Sequence, residues 1–305
     1  MERQLLNIAN LLYINMQYVT DNSLLKGKMG LVLFFYEYGR YTGKHIYTDI
    51  ADIMLDEIIE SLSFNEDEVI AGIGWGVQYL IKNKFVEGDS NEILSDIDDR
   101  IQQMIEIRKG FSSEKYLKIL MKNNFNIFVD SYIVSRVNSK IRNEDNLDRI
   151  VDLYKKILLR TDKALPLIFL NACSAFISWG HSLHVEIEKN DGIMELLKDR
   201  YNQSFADNLY NAGDFAFFNR IRNKCQMNLS IENVYKCNLE TIESYINYFI
   251  PELLYFDNDY YLPDDLLVSH YLRDVICNVS GENLSLNGLA GIGLLMMKKS
   301  KPVSC

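Results

Sequence analysis

The chain has 305 residues, 48% of them hydrophobic and 24% charged, with a formal net charge of −10 at pH 7. Such a composition buries a large core and excludes a mostly disordered chain. The acidity argues against a nucleic-acid partner, because the average field of the protein repels phosphates.

Only four prolines occur, at Pro166, Pro251, Pro263 and Pro302, as expected of a chain that spends most of its length in helix. The N-terminus lacks the basic region and clean apolar stretch of a signal peptide, and the densest apolar segment, 164–177, is too short for a membrane span. A cytoplasmic protein without a membrane span is expected. The five cysteines, Cys173, Cys225, Cys237, Cys277 and Cys305, are odd in number and scattered, which suits free thiols.

In chain order, residues 4–19 place Leu5, Ile8, Leu12 and Met16 or Val19 at helical spacing. After the turn-forming 20–23, the segment 29–36 is apolar nearly all round, and Gly39 and Gly43 are read as closing it. Ile46, Ile50, Ile53, Ile58 and Leu62 then form one stripe with acids on the other face. The segment 72–81 is again apolar on most sides. Asp89-Ser90-Asn91-Glu92 reads as a capping box opening a helix through Ile93, Ile97, Ile101 and Met104, with Arg108-Lys109-Gly110 as its stop. Two shorter helical patterns fill 114–137, and a stripe on Leu147, Ile150, Tyr154 and Ile157 follows. The segment 164–177 is apolar throughout, 201–228 is irregular, 230–250 reads as helix, 255–262 as a loop, and Pro263-Asp264-Asp265 opens a helix to Val275. A final helix begins at Asn287. No segment alternates with the period of a strand.

The glycines repeat. Lys26-Gly27-Lys28-Met29-Gly30, Ala71-Gly72-Ile73-Gly74-Trp75-Gly76 and Asn287-Gly288-Leu289-Ala290-Gly291-Ile292-Gly293 each stand at the start of an apolar helical segment. Gly30 and Gly72 are 42 residues apart, and the 219 residues from Gly72 to Gly291 have room for five further units of roughly 44 residues, the range of helix-pair repeats. Helices with one apolar stripe alternating with helices apolar on every side describe two layers, the second enclosed by the first. Glycine at the start of an enclosed helix lets backbones approach closely, despite costing about 1 kcal/mol of helix propensity.

On these motifs the chain resembles the lanthionine synthetase C-like family, the cyclases of lanthipeptide maturation and their relatives. The resemblance implies an all-α fold, an α/α toroid of about seven inner and seven outer helices, in agreement with the room for repeats, with residues 1–305 forming a single domain. It also implies addition of a cysteine thiol to a dehydrated serine or threonine, with zinc held by two cysteines and a histidine to lower the pKa of the thiol. The sequence departs from the family's pattern at that point. Cys-His-Gly, Trp-Cys and His-Gly occur nowhere, so no zinc ligand, catalytic residue or cofactor carries over.

The expectation is therefore a lanthionine synthetase C-like protein of peptide modification that binds a peptide substrate or leader peptide, with catalysis unassigned and without zinc-dependent cyclase activity. Lys26, Glu68, Trp75, His181 and Asn287, near the openings of inner helices, are the ligand-binding candidates. Three alternatives stand beside this. His181 and His184 share a helix face and, with Cys173, Cys225 or Cys237, are a conceivable metal site. Asp257, Asp259, Asp264 and Asp265 with nearby tyrosines suit a carbohydrate-active enzyme on the same kind of ring. A non-catalytic scaffold requires a ring centre filled by side chains such as Phe34, Phe35 and Trp75.

Overall fold

The computed structural model describes residues 2–65, 67–108, 139–160, 191–206 and 265–300, and the single positions 115, 132, 133, 136, 165, 167, 169, 170, 173, 174 and 176. Every regular element among them is helical, as the periodicity predicts, and none is a strand. No helix among them is long and apolar enough to cross a membrane. The expected elements at 230–250 and 255–262 lie outside the described residues. The chain forms two compact units, Met1–Ile93 with Leu239–Cys305, and Leu94–Asn238.

In the first unit, helix α1 (Glu2–Asn15) buries Leu5, Ile8, Ala9 and Leu12 on one face, then tightens into a 3-10 turn at Met16–Tyr18. Helix α2 (Lys28–Thr42) is buried at every position from Met29 to Gly39. Full burial of a side chain such as Phe34 or Leu31 is worth about 1.5–3 kcal/mol, so tertiary packing rather than propensity fixes this helix. The expected stop at Gly39 does not occur. A Cβ at Gly39 would lie 2.8 Å from the Thr48 methyl, so this glycine serves the close approach of the next helix. Gly43, at φ 67°, supplies the left-handed C-cap.

Helix α3 (His45–Glu60) packs on α2. It buries Ala51, Met54 and Ile58, and its Tyr47 ring lies parallel to Phe35 and edge-on to Tyr38. Ile46 and Ile53, expected in the buried stripe, are 59% and 62% exposed. The packed face is set by small and flexible residues, Ala51 and Met54, which fit against the bulk of α2, and it lies roughly 100° around the helix from the isoleucines.

Helix α4 (Asp67–Lys82) starts five residues before Gly72. It ends where Lys84 takes φ 59°, the only non-glycine with positive φ among the described residues. The N–H of Lys84 donates to the Ile81 carbonyl at 3.0 Å, and that of Phe85 to Leu80 at 2.9 Å. The turn is thus a left-handed helix end held by a side chain that strains it. Lys84→Gly is expected to raise stability by about 0.5–1 kcal/mol, read as a higher urea midpoint; a lower midpoint would show that the Lys84 side chain contributes more than its backbone costs.

Asp89 accepts the Asn91 N–H at 2.9 Å, but the helix it opens, α5 (Ser90–Ile93), is one turn long. The chain restarts at Ser95, so Ile93 is exposed rather than part of the stripe. Near the other end of this unit, α9 (Asp265–Cys277) packs on α1, and a one-turn helix, α10 (Gly281–Leu284), leads into α11 (Leu289–Ser300). Residues 289–297 of α11 are all buried.

The second unit contains α6 (Ser95–Arg108), α7 (Glu144–Arg160) and α8 (Asp191–Ala206). Helix α6 buries Ile97, Ile101, Met104 and Ile105, and α7 buries Leu147, Ile150, Tyr154 and Ile157 as its stripe predicts. Helix α8 packs on α7 and runs through 201–206, where an irregular segment was expected. Tyr201 is fully buried there, its hydroxyl 2.8 Å from that of Ser174.

Candidate functional site at three helix entrances

Helices α2, α4 and α11 are the enclosed helices among the described residues of the first unit, and α2 packs on both of the others. Their entrance segments are joined to one another. The Ser285 hydroxyl, fully buried, donates to the Gly27 carbonyl at 2.7 Å and approaches that of Leu24 at 3.4 Å. The Asn287 N–H donates to the Leu25 carbonyl at 2.9 Å. On the other side, the Asn22 amide donates to Ser61 Oγ at 2.8 Å and reaches Asn65 Oδ1 at 3.4 Å. Within the loop, Asp21 accepts the Ser23 N–H at 2.7 Å and its carbonyl accepts the Lys28 N–H at 2.7 Å.

The repeated glycines explain this closeness. A Cβ at Gly30 would meet Ser285 Oγ, the Leu24 carbonyl oxygen at 2.6 Å and the Leu286 N at 2.8 Å. At Gly291 it would collide with the Leu286 carbonyl, and at Gly72 it would lie 3.1 Å from Leu24 Cβ. Leu24 and Leu286 are thus the pivots on which the three glycines close. Deeper down, Gly76 receives the Met29 side chain and Gly293 the Phe34 ring.

The repeat also predicts which positions are equivalent. Lys26, Glu68 and Asn287 correspond, as do Leu33, Trp75 and Leu294 seven residues on, and Glu37 and Tyr79 eleven residues on. Spacings of seven and eleven lie on one helix face. One contact tests the equivalence directly: the Tyr79 hydroxyl donates to Glu37 Oε1 at 2.6 Å, across 42 residues, the interval between Gly30 and Gly72.

Lys26 stands exposed and Asn287 half-buried at the entrances of α2 and α11. Glu68 is the second residue of α4, roughly 10 Å along the axis from Trp75. Trp75 is 6% exposed, stacked on Tyr79 at 5.7 Å, so it belongs to the wall below the entrance rather than to its rim. His181 and His184 lie outside the described residues, as do Cys225, Cys237, Asp257 and Asp259. Cys173 is buried. Phe34 lies against Gly293 of α11, and Phe35 faces Tyr47 of α3, so both fill seams between helices.

Near the rim, Lys28 pairs with Glu57 at 2.6 Å. At the far end of α2, the Arg40 guanidinium lies 3.4 Å over the Phe85 ring and donates to the Asn83 carbonyl. The Tyr36 hydroxyl donates to Asp52; burial first, then that carboxylate, pushes its ionisation upward. Burial, with Tyr47 beside it, pushes Tyr38 up to about 12. These tyrosines remain neutral donors at physiological pH.

The donor set at the described entrances does not fit zinc. The residues before Gly27 and Gly288 are Lys26 and Asn287, an ammonium without a lone pair and a neutral amide, where thiolate or imidazole is required. Among the described residues no three of His, Cys, Asp or Glu are grouped to hold a metal ion. Among the described residues these entrances present hydrogen-bond donors, the ammonium groups of Lys26 and Lys28, and an apolar floor. Compared with known proteins, the chain matches no family model, no curated protein and no solved structure.

The sequence reading missed two polar clusters. One is Glu37 with Tyr79, which the repeat interval could have revealed. The other is in the second unit, where Asp98, 3% exposed, accepts Arg136 Nε at 3.0 Å and Nη2 at 2.6 Å, Tyr132 Oη at 2.7 Å and Ser139 Oγ at 2.6 Å. Arg136 is fully buried. Burial alone would lower its pKa, but the hydrogen bonds and charge of Asp98 and Tyr132 raise it overall. Every carboxylate oxygen of Asp98 is in use, which marks the cluster as a fastening rather than a reaction centre.

Proposed function

We propose that this chain is an α/α toroid of the lanthionine synthetase C-like kind that binds a peptide across its helix entrances, in peptide modification, without zinc chemistry at those entrances. The observation that carries this reading is the convergence of the three glycine-marked entrances, with Lys26 and Asn287 standing beside them. Side-chain amides and ammonium groups bind peptide carbonyls and carboxylates, and the tight seam below them gives a fixed platform.

Panning the full chain against random 12-residue peptides displayed on phage tests it. Peptides that bind are expected to lose roughly tenfold or more in affinity on Lys26→Ala/Asn287→Ala, about 1.4 kcal/mol. Failure to select any peptide, or binding indifferent to that double substitution, would sink the reading. One zinc per chain, bound by cysteines in protein purified without chelator, would restore the cyclase in its place. The carboxylates that sugar hydrolysis would use, Asp257, Asp259 and Asp264, lie outside the described residues, and a scaffold without a ligand predicts that the panning returns nothing.

A further inference from the structure

The outer face of α3 breaks the rules that make a surface helix stable. Within His45–Glu60 there are five carboxylates, at Asp49, Asp52, Asp56, Glu57 and Glu60, and no lysine or arginine. Asp52 and Asp56, and Asp56 and Glu60, are like charges at the i,i+4 spacing, which destabilises a helix. Glu57 and Glu60 stand in the last turn, where the helix dipole disfavours negative charge. Two of the five are engaged, Glu57 by Lys28 and Asp52 by Tyr36. Asp49, Asp56 and Glu60 are exposed.

On the same side, Ile46 and Ile53 are 59% and 62% exposed, seven residues apart on one line of the helix. Asp49, Asp56 and Glu60 follow that line along one flank. An apolar ridge bordered by carboxylates is costly to an isolated helix on two counts, charge and solvation. Such a conflict between local rules and the fold is expected where a surface has a partner.

We infer that this face docks a basic amphipathic helix, its apolar side on Ile46 and Ile53 and its lysines or arginines against Asp49, Asp56 and Glu60. The charge pattern selects the occupant: the ridge lacks a cation to receive an acidic partner, and a net charge of −10 repels a second copy. From Ile46 to Glu60 the ridge is roughly 21 Å long, the length of a partner helix of about 14 residues. Only the Glu60 end of the ridge approaches the entrances, where Ser61 accepts from Asn22; Ile46, Asp49 and Ile53 lie away from them along α3, so the site stands whether or not the entrances bind peptide.

The test is fluorescence anisotropy of the full chain with a labelled, end-capped 15-residue peptide that has leucines at helical spacing and lysines elsewhere. The comparison peptide has the same composition in an order that gives no apolar face. The ordered peptide is expected to bind at least tenfold tighter than the scrambled one. Ile46→Ser/Ile53→Ser is expected to remove that advantage. Asp49→Asn/Asp56→Asn/Glu60→Gln is expected to weaken binding at least tenfold and flatten its salt dependence, whereas Asp145→Asn/Asp148→Asn/Asp152→Asn on α7, an equal change in charge, leaves binding intact. Equal binding of the two peptides, equal effects of the two charge variants, or no binding by the wild type would each overturn the proposal.

Discussion

Gly30→Ala is expected to be strongly damaging, costing roughly 3 kcal/mol. The new Cβ would meet the Leu24 carbonyl oxygen at 2.6 Å, the Leu286 N at 2.8 Å and Ser285 Oγ, all in backbone or in a side chain already committed to the Gly27 carbonyl. Overpacking of a rigid core commonly costs about 1–3 kcal/mol, and here two entrance segments must part before the methyl fits. The gain in helix propensity, about 1 kcal/mol, recovers only part of that. Gly72→Ala is the control. Its Cβ would lie 3.1 Å from Leu24 Cβ with the nearest backbone atom at 3.6 Å, a far milder crowding than at Gly30, so propensity offsets much of it. Urea midpoints of the two variants should therefore separate clearly, with Gly30→Ala far lower. Equal midpoints would mean that the entrances are not drawn together as described.

Arg136→Met is expected to lower the stability of the second unit by about 3–5 kcal/mol, because it leaves Asp98 charged in a dry environment. The Tyr132 and Ser139 hydroxyls remain, at 2.7 and 2.6 Å from its oxygens, but two neutral donors do not neutralise a carboxylate. Asp98→Leu/Arg136→Met should recover most of the loss, since the neighbours Ile97, Ile101, Tyr132 and Ile133 are already largely apolar and replacing both ions removes the unpaired charge. Circular dichroism melts of the wild type, the single and the double variant decide the matter. A double variant no better than the single would show that shape, rather than charge, holds Tyr132, Arg136 and Ser139 to α6.

The enclosed helices were the legible part of the fold. Runs such as 29–36 and 289–297 have no polar side to present to water, so their burial follows from hydropathy alone, and the stripe on Leu147, Ile150, Tyr154 and Ile157 was equally plain. The reading failed where packing is decided by size instead of hydropathy. Ala51 and Met54 win the interior of α3 over Ile46 and Ile53 because α2 offers Phe35 and Tyr38 there and leaves space for little else. Gly39 was taken for an ending because glycine lowers helix propensity, yet the nearness of Thr48 is what requires it. At the candidate site the glycine repeat pointed to Lys26 and Asn287, both found at entrances that touch. It also placed Trp75 at the opening, whereas Trp75 is packed on Tyr79 one turn above the Glu37 contact. Asp98 and Arg136 were invisible because a buried ion pair is a matter of partners 38 residues apart, which no local pattern encodes.

The bonds from Ser285 and Asn287 to the segment 24–27 join parts of the chain about 260 residues apart. During synthesis α2 leaves the ribosome long before α11 exists to cover it, and at roughly 5–20 residues per second that interval is on the order of ten seconds to a minute. Throughout it, Phe34 has neither Gly293 nor the rest of α11 to rest on. The nascent first unit therefore exposes apolar surface of the kind chaperones bind until α11 emerges, and a premature stop codon ahead of α11 would be as harmful to this protein as one ahead of α2.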